Sequence, residues 1–155
     1  MRTLLAAAVL VVPSLAVAAE TPAIAAEVER GVKAYNAQQI AYYEDALATD
    51  AVYIAEDGAT FVGKERVLRL FARIFAKAPP PQLAVTDVVT GGKGDAAWAR
   101  FKWTLTAGPD SRQGVSSILF TRAGDAWQVV QIHNTPAGHL MAASPSPSAS
   151  ASPKP

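Results

Sequence analysis

GDAAWARFKWTLTAGPDSRQGVSSILFTRAGDAWQVVQIHNT, residues 94–135, alternates apolar and polar side chains in the way that is typical of β-strands. The alternation is interrupted by two turn compositions, Gly-Pro-Asp at 108–110 and Ala-Gly-Asp at 123–125. Consecutive strands joined by such short connectors pair antiparallel, so this stretch predicts a meander. With one similar run upstream, the four predicted strands are 82–90, 96–106, 114–122 and 127–135.

Upstream of Pro79-Pro80-Pro81, apolar residues recur at helical spacing instead. We expect a helix to begin at Gly63 and to end at these prolines, which cannot continue it. Two earlier helices are predicted over 22–36 and 40–48. The apolar stripe of the helix that begins at Gly63 is formed by Val67, Leu70, Phe71, Ile74 and Phe75.

A short hairpin is predicted between the second and third helices. Thr49-Asp50 is expected to turn the chain, and two strands at 52–55 and 59–62 flank the Asp57-Gly58 turn. Helices first and a meander last predict an α+β fold, in which three N-terminal helices pack on one face of a curved antiparallel sheet. We assign this single domain to residues 24–139.

Both ends of the chain differ in composition from this domain. Residues 1–19 combine a positive start, an apolar run and small residues before a cleavage point, which predicts a signal peptide. Residues 142–155 contain only Ala, Ser, Pro and Lys and are predicted to be disordered. We therefore expect an exported protein, periplasmic or extracellular, without a stable membrane anchor.

The charge and the cysteine count exclude several classes of protein. Lys and Arg number 14 against 13 Asp and Glu, and removal of the signal peptide takes Arg2 away, which leaves 13 of each. A balanced charge argues against a generic nucleic-acid binder and against a polybasic membrane binder. The absence of cysteine excludes disulfides and thiolate metal sites, and two histidines do not suffice for a metal centre, so neither a metal nor another cofactor is expected.

Three short motifs carry a resemblance to a known family. Asp50-Ala51-Val52-Tyr53-Ile54 leaves the second helix, Phe61-Val62-Gly63-Lys64-Glu65 enters the third, and Gly124 to Thr135 forms the last strand with its Trp127 and His133. In this order they resemble the nuclear-transport-factor-2-like superfamily, in its SnoaL-like and calcium/calmodulin-kinase association-domain-like branches. The resemblance implies a cone-shaped cystatin-like fold over 24–139. It does not imply one function, because the superfamily holds isomerases, dehydratases, cyclases, adaptors and oligomerisation hubs.

The aromatic residues lead to our first functional hypothesis, an apolar pocket that binds a small hydrophobic or aromatic molecule. In the second meander strand, Phe101 and Trp103 share the face of Ala97 and Ala99, whereas Trp98 lies on the opposite face with Arg100 and Lys102. A large apolar side chain on that outer face favours a homodimer formed through the sheet. The expected pocket walls are Tyr35, Tyr43, Tyr53, Phe101 and Trp103, with Gln131 and His133 as polar contacts.

His133 leads to the alternative, an isomerase or cyclase in which this imidazole is the general base and a tyrosine hydroxyl stabilises an enolate. Strict alternation from Trp127 places Gln131 and His133 on its face, at the pocket mouth. The strands 96–106 and 127–135 carry no acid, which departs from the carboxylate pattern of the isomerase branch. A non-catalytic oligomerisation domain is the third hypothesis.

A row of cations on the third helix has two possible interpretations. Arg66, Arg69, Arg73 and Lys77 fall on a side away from the apolar stripe. They are either a solvated helix face or a binding surface for an anionic partner.

Overall fold

The computed structural model describes residues 16–138, with side-chain burial from residue 22 onward. Most of the predicted signal peptide, 1–19, and all of the predicted tail, 142–155, lie outside the described residues. The described part contains three helices and six strands: α1 Ala16–Asn36, α2 Ile40–Ala46, β1 Leu47–Ile54, β2 Thr60–Val62, α3 Lys64–Phe75, β3 Gln82–Lys93, β4 Ala96–Ala107, β5 Asp110–Ala123 and β6 Ala126–Pro136.

The six strands form one curved sheet in the order β2-β1-β6-β5-β4-β3. The predicted α+β class is confirmed, and β3 to β6 form the expected antiparallel meander. β1 pairs with β6 in parallel, a pairing that the sequence did not indicate. It arises because α3 and four strands, β2 to β5, separate β1 from β6 in the chain, and such a long crossover permits parallel pairing.

The junction between α2 and β1 differs from the prediction. The expected turn at Thr49-Asp50 is wrong, because both residues lie within β1. Leu47 pairs with Val129 and Val52 with Gln131, so five steps along β1 match two along β6. The extra residues are accommodated as an irregularity within the strand, which bends it without ending it.

The third helix begins where the sequence indicated but ends at Phe75, four residues before the prolines that were expected to end it. Gly63 precedes it with φ 91, a left-handed conformation that glycine adopts without strain. Val67 and Phe71 are buried beneath the helix, while Arg66 and Arg73 are exposed on its other side.

Two clusters of buried side chains make up the interior. One lies between the first half of α1 and β4, β5 and β6, and includes Ile24, Phe101 and Trp103. The other joins the end of α1 to α2, β1 and α3, and includes Tyr43 and Phe71. The space between these clusters positions the candidate site.

Candidate functional site

A cavity of about 430 Å³ lies between the helices and the concave face of the sheet. Its volume falls in the range of pockets that hold small molecules. Both buried clusters contribute to its wall, since Phe101 and Phe120 belong to one and Leu47 and Phe71 to the other. The cavity is therefore enclosed mainly by aromatic and aliphatic side chains.

All four tyrosines of the chain line this cavity. The Tyr43 hydroxyl donates a hydrogen bond of 2.9 Å to the Gly31 carbonyl oxygen, and the Tyr42 hydroxyl lies 3.4 Å from the Glu27 carbonyl oxygen. Tyr35 packs edge-on against Phe75 with ring centroids 5.3 Å apart. Within residues 16–138 its hydroxyl has no hydrogen-bond partner, so it remains available as a donor.

Burial controls the protonation of these phenols. Desolvation is the largest cause that raises the pKa of Tyr35, Tyr43 and Tyr53 above the ordinary value, and it raises the pKa of Tyr42 to about 12. All four tyrosines are therefore neutral hydrogen-bond donors at physiological pH.

A polar cluster occupies one part of the cavity wall. The Ser116 hydroxyl, which is buried, donates a 2.5 Å hydrogen bond to Asn134 Oδ1, and Asn134 Nδ2 donates at 2.9 Å to the carbonyl oxygen of Ile54. Asn134 also hydrogen-bonds the Tyr53 hydroxyl, and this interaction lowers the pKa of Tyr53 against the larger effect of burial. The cluster ties β1, β5 and β6 together behind the cavity.

A bulge in β6 decides which side chains of that strand face the cavity. The consecutive residues Leu119 and Phe120 pair with Gln131 and Val129, so Val130 is an extra residue. An extra residue reverses the alternation of faces beyond it. Ile132 and Asn134 consequently line the cavity.

Gln131 and His133 lie on the outer face of the sheet, and their predicted position at the pocket mouth is wrong. His133 is exposed, and its strand partners are Ser117 and Ile54. The enzyme hypothesis required the imidazole to face the same space as a tyrosine hydroxyl. Since His133 does not, the structure gives no support to a general base at this position.

The five other predicted wall residues do come together around the cavity: Tyr35, Tyr43, Tyr53, Phe101 and Trp103. Sequence reasoning missed Ser116 and Asn134. Nothing in the sequence marks the bulge, because Val129 and Val130 are both apolar and either fits the inner face.

Charged residues surround one end of the cavity, which we call the rim. Arg112 forms an ion pair with Glu56, and Asp57 Oδ1 accepts a 2.9 Å hydrogen bond from the backbone N–H of Ala59. Lys77, in the bend that follows α3, is the other charged residue of this rim. The rim residues are Ala55, Glu56, Asp57, Lys77, Pro81, Ala107 and Arg112.

Trp103 closes the sheet side of the cavity. Its indole lies over Gly114, where an added Cβ would stand 2.2 Å from the ring, so glycine is required there. The Trp103 Nε1–H is buried without a hydrogen-bond partner among the described residues.

Two further classes of site were sought in residues 16–138. That part of the chain holds no group of three or more His, Asp or Glu side chains arranged to bind a metal ion. It also holds no helix that is long and apolar enough to cross a membrane.

The comparisons with known proteins agree with this fold. Residues 24–137 match the family model of the SnoaL-like domain. An NTF2-like protein of unknown function from Pseudomonas putida KT2440 superimposes with a TM-score of 0.70 at 21% identity, over 76% of this chain and 87% of that one. No curated protein sequence matches the chain.

Two similar structures carry functional names of their own. A candidate dehydratase of the NTF2-like family from Streptomyces avermitilis gives a TM-score of 0.72 at 18% identity, over 78% of this chain and 98% of that one. A candidate calcium/calmodulin dependent protein kinase II association domain from Xanthomonas campestris gives a TM-score of 0.64 at 15% identity, over 76% of this chain and 87% of that one. At these identities the likeness establishes the fold alone.

Proposed function

The chain belongs to the SnoaL-like domain family, and from that premise we propose that its cavity binds one small apolar or aromatic molecule. The observation that carries the proposal is a cavity of about 430 Å³ that all four tyrosines and several other aromatic side chains enclose. Burial of apolar surface supplies the binding free energy at such a site, and a few polar groups set the orientation.

The carboxylates around the cavity favour binding over proton transfer. Glu27 is paired with Arg30 and Glu56 with Arg112, while Asp57 is engaged by the turn that follows it. None of the three is therefore a free carboxylate positioned to take a proton from a ligand. We accordingly do not carry the isomerase or cyclase hypothesis forward.

We expect the ligand to carry an oxygen atom that accepts a hydrogen bond. The Tyr35 hydroxyl is a donor of the cavity wall without a partner among the described residues, whereas the hydroxyls of Tyr43 and Tyr53 already have protein partners. An acceptor that satisfies Tyr35 adds orientation to the hydrophobic contacts.

Titration with the neutral aromatic probe N-phenyl-1-naphthylamine tests the proposal. We expect a saturable fluorescence increase with one probe per chain, and competition by other small apolar compounds. A signal that rises without saturation, or that is absent, would contradict a ligand site in this cavity.

We propose in addition that two copies associate through the outer face of the sheet. Strand partners place Val62, Val52, Gln131, Leu119, Trp98 and Gly91 in one row across all six strands. Trp98 and Leu119 are 41% and 42% exposed, a large apolar surface for a monomer to leave in water. A second copy is the occupant that closes such a face by two-fold symmetry.

Sedimentation of the wild type and two arginine variants tests this association. Leu119→Arg introduces a charge in the middle of the row and should give monomers, whereas Ala37→Arg, an exposed position between α1 and α2, should leave the dimer intact. A monomeric wild type would refute the sheet-mediated dimer.

We finally propose that the domain is exported after cleavage of residues 1–19, to the periplasm or the medium. Amino-terminal sequencing of protein recovered from its own host tests this. A mature chain that still begins at Met1 would contradict the proposal.

A further inference from the structure

The outer side of α3 carries three arginines, and a fourth cation, Lys77, follows in the bend after the helix. Arg66, Arg69, Arg73 and Lys77 are all exposed, and the spacing of three and four residues places the three arginines within about 60° of one another around the helix. Together the four cations form the α3 row, whose arginines span about 10 Å at the helical rise. It lies opposite Val67 and Phe71, whose burial fixes the orientation of the helix on the domain.

No acidic side chain among the described residues neutralises this row. None of the four cations forms an ion pair within residues 16–138. The acids on the same helix and on the neighbouring one, Glu65 on α3 and Glu44 and Asp45 on α2, form no ion pair with the row. Its positive charge is therefore presented to solvent.

The row ends at the rim of the cavity. Its last member, Lys77, is a rim residue, and Leu70 and Ile74 of α3 line the cavity wall. An anionic surface that contacts Lys77 therefore also reaches the rim. At the rim itself, Arg112 is paired with Glu56, which leaves Asp57 as the carboxylate that opposes this contact.

We propose that the α3 row docks the domain on an anionic lipid bilayer, with the cavity rim turned toward the membrane. The purpose of this docking rests on the proposed function, since an apolar ligand is far more concentrated in a bilayer than in water. A bilayer fits the observations better than a soluble polyanion, because the unpaired positive charge is confined to one row beside the rim of an apolar cavity while the whole chain is nearly neutral.

Vesicle sedimentation of the ligand-free protein tests the docking. We expect binding to phosphatidylcholine vesicles that contain phosphatidylglycerol, no binding to phosphatidylcholine alone, and release in high salt. The variant Arg69→Gln/Arg73→Gln should bind the anionic vesicles about 25-fold more weakly, at about fivefold per cation.

A matched variant controls for net charge. Lys33→Gln/Lys93→Gln removes two exposed cations from α1 and β3 and should bind the vesicles as the wild type does. If both double variants lose affinity equally, or if the wild type does not bind anionic vesicles, the docking surface is overturned. If free phosphate bound to the row as tightly as anionic vesicles do, a bilayer would not be the partner.

A fluorescent label reports the orientation, because the chain has no cysteine of its own. A polarity-sensitive dye on Ala107→Cys, at the rim, should shift to the blue on anionic vesicles. The same dye on Ala126→Cys, at the other end of β5 and β6, should not shift. A shift at Ala126 alone would contradict the proposed orientation.

The two proposals fail separately. Loss of probe binding in solution with vesicle docking intact would remove the ligand site and leave the surface. Arg69→Gln/Arg73→Gln could bind the probe normally in solution and bind vesicles as well as the control variant does. That result would refute the docking surface and leave the ligand site intact.

Discussion

Ser116 and Asn134 face each other across β5 and β6, and the Ser116 hydroxyl donates a 2.5 Å hydrogen bond to Asn134 Oδ1. The pair meets inside the cavity wall only because Val130 is an extra residue in β6. Without that bulge, the alternation from Trp127 would turn Asn134 outward and His133 inward. One residue of register therefore decides whether Asn134 or His133 faces the cavity.

Asn134→Leu should destabilise the fold, because it leaves the Ser116 hydroxyl and the Ile54 carbonyl oxygen without their partner. We expect a loss of about 1–3 kcal/mol in the free energy of unfolding, measured by urea denaturation. His133→Leu, the exposed neighbour, should change this free energy by less than about 0.5 kcal/mol. Equal losses in the two variants would show that the Ser116–Asn134 pair has no special role.

Gly114→Ala and Gly31→Ala should shift the melting temperature in opposite directions. At Gly114 the new Cβ would lie 2.2 Å from both the Trp103 ring and the Thr135 carbonyl oxygen, and we expect a loss of about 1–3 kcal/mol. At Gly31, within α1, it would lie 3.6 Å from the Tyr42 hydroxyl, an ordinary contact, and helix propensity should add about 0.5–1 kcal/mol. A stable Gly114→Ala protein would mean that Trp103 does not occupy this position.

The stability of the fold should fall only at alkaline pH as the tyrosines titrate. Burial raises the pKa of Tyr42 from the ordinary value of 10.0 to about 12, so the folded chain holds this proton more tightly than the unfolded chain does. The associated stability is complete below pH 10 and is lost as the pH rises toward 12. Phenolate absorbance should appear near pH 10 in the denatured protein and only at higher pH in the folded protein. Phenolate formation near pH 10 in the folded protein would contradict a cavity lined by buried tyrosines.

The sequence predicted the parts of this fold that depend on local pattern. Alternation in 94–135 indicated the meander, and the apolar spacing after Gly63 indicated α3, although the helix ends at Phe75, before the prolines at 79–81. The parallel pairing of β1 with β6 was not predictable in this way, because it joins segments far apart in the chain.

The residues considered for the cavity wall also differ in whether their direction could be predicted from the sequence. Phe101 and Trp103 lie on a regular strand, so their inward direction followed from the alternation with Ala97 and Ala99. Gln131 and His133 lie beyond a bulge that depends on pairing with β5, and their direction could not be obtained from β6 alone.

Probe binding by two tryptophan variants tests the cavity most directly. Ile132→Trp fills the cavity from β6. His133→Trp places the same indole at the adjacent residue, on the outer face of the sheet. With N-phenyl-1-naphthylamine, we predict that Ile132→Trp abolishes saturable binding and that His133→Trp binds as the wild type does. Unchanged binding by a folded Ile132→Trp protein, or loss of binding in His133→Trp alone, would contradict the account.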